Sequence, residues 1–111
     1  MHITWSRDER PVWRFRCVFR VLRQGDDPSA RLQSRWLERG IAATGNARAA
    51  TVHLSADDLQ VVMLIRAVDE LDAEFRGLCV LDAAAAQVRG VALGELLWRA
   101  ASPWRHPPAS G

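Results

Sequence analysis

Residues 11–24 read PVWRFRCVFRVLRQ, and the fold turns on them. Apolar and basic residues alternate almost without a break. Trp13, Phe15, Cys17, Phe19 and Val21 fall on one side of a period-2 element, and Arg14, Arg16, Val18, Arg20 and Leu22 on the other. β-branched and aromatic side chains suit a pleated, half-buried surface, so the stretch is a strand. Its Trp/Phe side belongs to a core, and its Arg side carries the one concentrated chemical signal in the chain. That signal does not name an activity.

Working outward, residues 1–11 are a polar lead-in with Ile3 and Trp5 as the available anchors. Downstream, Gln24-Gly-Asp-Asp-Pro28 marks a turn into a helix, with Asp27 placed to cap free N–H groups and Pro28 at the first helical position. This helix is expected to run to about Arg39 and stop at Gly40. Leu32, Trp36 and Leu37 form its inner side, while Arg31, Arg35 and Arg39 recur every four residues as a second Arg row. After a turn at Thr44-Gly45-Asn46, Ala49–Leu54 reads as a strand, with Ala50, Val52 and Leu54 opposite Thr51 and His53. Ser55-x-x-Asp58 has a capping-box form, and Val61, Leu64, Val68, Leu71 and Phe75 follow at helical spacing, which predicts a helix over Ala56–Phe75 with an acidic outer face. Leu78–Leu81 reads as a short strand. The glycines and β-branched residues after Ala83–Ala86 favour a returning strand over Gln87–Leu93, with a helix as the alternative, and Glu95–Ala101 as a closing helix.

The expected architecture is α+β: a sheet of three to four strands with two to three helices packed mainly on one face. Residues 1–102 form a single domain and 103–111 a flexible Pro-rich tail. At 111 residues, 49% hydrophobic and 25% charged, the chain supports one ordinary core. Its longest apolar run, Val61–Ile65, is far short of a membrane span. Residues 1–10 carry no apolar secretory segment, so a cytoplasmic protein without a membrane partner is expected. Cys17 and Cys79 both lie in apolar runs and read as reduced, buried thiols, with a disulfide left open should their strands be neighbours.

Every basic residue apart from histidine is Arg, and the distribution is lopsided: residues 1–48 hold ten Arg against five acids, residues 49–111 five Arg against eight. Arg14, Arg16, Arg20, Arg31, Arg35 and Arg39 are the candidate binding residues, because planar guanidinium groups grip phosphates and carboxylates bidentately. Trp5 and Trp104, in the terminal segments, are candidate stacking or docking aromatics, whereas Trp13, Trp36 and Trp98 read as core. His53 and Asp82 are the residues a pocket would use, although His53 reads as solvent-facing and Asp82 as a turn former. His2, His53 and His106 show no ligand spacing, and there is no phosphate loop or nucleophile motif, so no metal or cofactor is expected.

This pattern favours a small non-enzymatic interaction or regulatory protein that occupies a surface of another macromolecule. A protein partner comes first, because the net charge is only +2 and the acidic stretch after residue 56 is near enough to offset the Arg rows. The alternatives are a nucleic-acid module using those rows and a small ligand-binding or catalytic domain. A symmetric homodimer is also expected, from the opposed charge of the two halves.

Overall fold

The structure, a computed structural model, describes residues 9–23, 29–55 and 57–104. Strands β1 (Val12–Arg23), β2 (Ala47–Leu54), β3 (Asp58–Arg66) and β4 (Val91–Pro103) form one antiparallel sheet in the order β2-β3-β1-β4. Helix α1 (Ala30–Ala43) follows β1 and helix α2 (Glu70–Ala85) follows β3. This element order is the split-βαβ, ferredoxin-like topology. The α+β class and the four strands agree with the sequence, and the number of helices is two.

Alternation sorts the sheet into two faces. Phe15, Cys17 and Val21 of β1 and Leu59, Val61, Met63 and Ile65 of β3 are buried in one cluster with Leu37 and Ile41 of α1 and with Ala73, Val80 and Leu81 of α2. Both helices therefore pack on the odd-numbered side of β1 and β3. The even-numbered residues point to the face that carries no helix among the described residues. Close approach of α2 to β1 depends on Gly77, where a Cβ would sit 2.3 Å from Cδ2 of Phe15. Gly40 lies inside α1 and not at its end: a Cβ there would come 3.1 Å from that of Ala84, so the glycine brings the two helices together.

Several sequence expectations change. Residues 56–75 are not a helix. Ser55 and Asp58 close a β2–β3 hairpin, Ser55 N–H donating to the Asp58 carbonyl at 2.9 Å and Asp58 N–H to Ser55 Oγ at 3.1 Å. The alternation Leu59, Val61, Met63, Ile65 then decides for a strand, which buries all four against both neighbours. The helix begins instead at Asp69, whose Oδ1 accepts the Asp72 N–H at 2.8 Å. Val68 and Leu71 are consequently exposed, Leu71 by 74%, and not core.

Leu78–Leu81 belongs to α2, and Asp82 lies on that helix, exposed, and not in a turn. The open question over 83–93 resolves as the helix end at Ala85, a turn with Gly90 at φ +83°, and β4 from Val91. Glu95–Ala101 is β4 and not a closing helix. Its alternation is interrupted by register shifts against β1 between Val18 and Val21. At Gly94 a Cβ would meet the Arg20 carbonyl oxygen at 2.9 Å. Helix α1 is capped by Ser29, whose Oγ accepts the Leu32 N–H at 3.3 Å; Asp27 and Pro28 lie outside the described residues. Pro103 closes β4, and Trp104 N–H donates to the Val12 carbonyl at 2.9 Å, while 105–111 lie outside the described residues.

Candidate binding surface

The helix-free face of the sheet is built from alternate residues of its strands. β1 contributes Arg14, Arg16, Val18, Arg20 and Leu22, β3 contributes Val62 and Leu64, and β4 contributes Trp98 and Ala100 opposite Val18 and Arg16. Arg14, Arg20 and Leu22 are exposed; Arg16, Val18, Val62 and Leu64 are half-buried. On β2, Thr51 and His53 project to this same face and are exposed, opposite Val62 and Gln60. A shallow depression of about 330 Å³ runs between Arg14, Thr51, Val62, Leu64 and Trp104.

Between the inner strand β1 and the edge strand β4, the guanidinium carbon of Arg16 lies 5.1 Å from the ring centroid of Trp98. Such a cation–π contact is worth about 0.5–1 kcal/mol at an exposed site, and it places the Arg over the indole. The Nε–H of Arg16 is buried there without a hydrogen-bond partner among the described residues. Trp98 keeps 46% of its surface open. Sequence reasoning missed this residue: the bulges of β4 break the period that would have placed it on the outer face.

The two Arg rows do not meet. Leu37 and Ile41 turn α1 toward the core, which leaves Arg31, Arg35 and Arg39 exposed on the helix layer, across the sandwich from Arg14, Arg16 and Arg20. Nor are the rows consumed by the acids of the second half. Among the described residues the ion pairs are Arg76 with Asp72 at 2.9 Å and Arg99 with Glu74 at 3.5 Å; none involves the six candidate arginines. Trp104 flanks the depression on the open face, and Trp5 lies outside the described residues.

A second concavity, about 380 Å³, opens on the helix side between the ends of β3 and α2, with Ile65, Phe75, Cys79 and Val80 in its wall. Its cations are engaged: Arg76 by both carboxylate oxygens of Asp72, and Arg66 by the Arg10 carbonyl. Neither His53 nor Asp82 lines it. Cys17 is buried and Cys79 exposed, both free thiols; burial pushes the Cys17 thiol up to about 12. Among the described residues no group of three or more His, Cys, Asp or Glu side chains could hold a metal ion. No described helix is long and apolar enough to cross a membrane.

Fold and surface together define an open-faced α+β sandwich, with helices on one side of the sheet and an arginine- and tryptophan-bearing face on the other. Comparisons of the chain with protein-family models, with curated proteins and with solved structures found no match.

Proposed function

We propose that this protein is a non-catalytic binding module that engages another macromolecule through the sheet face that no described element covers. The observation that carries the reading is a pairing on that face: Arg16, whose buried Nε–H has no partner among the described residues, beside a half-open Trp98. A buried donor without a partner costs free energy, and Trp and Arg are the residue types that dominate interface energetics when a partner seals them from water. Val18, Leu22, Val62 and Leu64 add apolar surface around the pair, as the centre of an interface requires. The role we propose for it is regulatory or accessory.

The test is photo-crosslinking in cells that express the protein naturally. A photoreactive side chain at Leu22 or Gln60, on the open face, is expected to give discrete covalent adducts, and one at Asp82 or Ala86, on exposed positions by α2, is not. Adducts confined to the α2 positions would overturn the reading. Nuclease and protease digestion of the adducts reports the partner's class independently.

A further inference from the structure

We infer that the partner of the uncovered face is a single-stranded nucleic acid, its phosphates held by Arg14, Arg16 and Arg20 and its bases stacked on Trp98. This inference rests on the binding reading above and names the partner. From the sequence, the objection to nucleic acid was that the acidic second half neutralises the basic first half. The structure removes that objection for this face. Glu74 is paired with Arg99, Asp72 with Arg76, and Arg14, Arg16 and Arg20 make no ion pair among the described residues. Along the β1–β3 register only Asp58, opposite Arg20, brings a carboxylate to the face.

Geometry selects among polyanions. Arg14 to Arg20 spans about 20 Å along the strand, enough for several nucleotides of an extended backbone. A four-stranded sheet measures about 14 Å between its outer strand axes, too broad for the roughly 12 Å major groove of a duplex. Single strands offer what the face is shaped for: charge in a row, and flat bases for an aromatic ring lying beside it. A second copy docked face to face would instead bring two arginine sets together, with Asp58 the one carboxylate that the β1–β3 register sets against them, and unpaired buried charge is strongly unfavourable.

Fluorescence anisotropy with labelled dT20 and rU20 tests this on the full chain. Three phosphate contacts to a single strand give a log–log salt slope of about −2, or a loss of roughly 20-fold in affinity between 50 and 200 mM salt. Arg14→Gln and Arg20→Gln, at exposed positions, should each reduce the slope by about 0.7. Trp98→Ala should weaken binding about 5- to 150-fold with the slope unchanged. Arg35→Gln, on the helix layer, should change neither. No binding at 20 mM salt, equal or tighter binding of the dT20·dA20 duplex, or a loss with Arg35→Gln matching that with Arg14→Gln would each overturn the inference. So would binding of polyglutamate without binding of either oligonucleotide, or a dimer in gel filtration with light scattering that dissociates on Trp98→Glu. Protein adducts from the open face in the crosslinking experiment, without nucleic acid, would sink this inference and leave the binding module standing.

Discussion

Replacing Gly77 by Ala asks whether α2 lies on β1 as described. In an exposed helix interior this substitution stabilises, because Gly costs about 1 kcal/mol relative to Ala. Here the new Cβ would fall 2.3, 2.6 and 2.7 Å from three ring carbons of Phe15, which is fully buried and enclosed by the core. The ring cannot swing into solvent, so either it leaves its rotamer or α2 lifts from the sheet. Overpacking of this kind costs typically about 1–3 kcal/mol and sometimes more, enough to reverse the helix-propensity gain. A net loss of about 1–3 kcal/mol is expected, which at this chain length lowers the melting temperature by about 4 °C per kcal/mol. Urea unfolding followed by tryptophan fluorescence measures it. Phe15→Leu in the same chain should recover part of the loss, since touching residues couple by about 0.5–3 kcal/mol. A neutral or stabilising Gly77→Ala would refute the packing of α2 on Phe15 and with it the assignment of the sheet's two faces.

Three further outcomes follow from the same geometry. Native protein at pH 8 should be alkylated by iodoacetamide at Cys79 and not at Cys17, whose thiol is buried and pushed up to about 12, until denaturant is added; modification of Cys17 in the native state, read by mass spectrometry, would contradict its burial. Asp72 is held below the usual carboxylate range, chiefly by the Val68 N–H and further by Arg76. Its folded value being depressed, its contribution to stability is present above about pH 4 and lost as pH falls below it, so Asp72→Asn should flatten the acid limb of a thermal-melt pH series. Leu71→Ala should change stability by less than about 0.5 kcal/mol, because the side chain is 74% exposed, while Leu37→Ala, fully buried, should cost about 2–5 kcal/mol in urea titration.

How much of this was legible depended on whether one period or two fitted a stretch. β1 alternates on both faces and admits a single reading. So does Thr51–Leu54 of β2. Over residues 58–75, a helical row through Val61, Leu64, Val68 and Leu71 coincides with a strand row through Leu59, Val61, Met63 and Ile65. Pairing on both sides of β3, between β2 and β1, is what decides it, and that is tertiary information. Asp69, the N-cap of α2, lies inside the stretch that the longer helical row spans. In α2 the apolar run Leu78–Leu81 resembles a strand because Gly77, Ala73 and Ala84 let the helix sit close to the sheet and to α1, leaving few large side chains to mark its inner stripe. In β4 the register shifts hide the alternation, and with it Trp98. The arginines of the face were named from sequence; their separation from Arg31, Arg35 and Arg39 required the helices to be placed.

The tryptophan indole N–H resonances test the central claim most directly, in a ¹H–¹⁵N spectrum recorded during titration with dT20. Trp13 donates its Nε1–H to the Ala67 carbonyl at 2.9 Å on the helix side of the sheet, and Trp36 packs on the core from α1, so neither signal should move. Trp98, half-open beside Arg16, should shift or broaden together with the backbone amides of Arg14, Arg16, Val62 and Leu64. Perturbations confined to α1 around Arg31, Arg35 and Arg39, or a spectrum that does not change, would contradict the claim that this face holds a single-stranded nucleic acid.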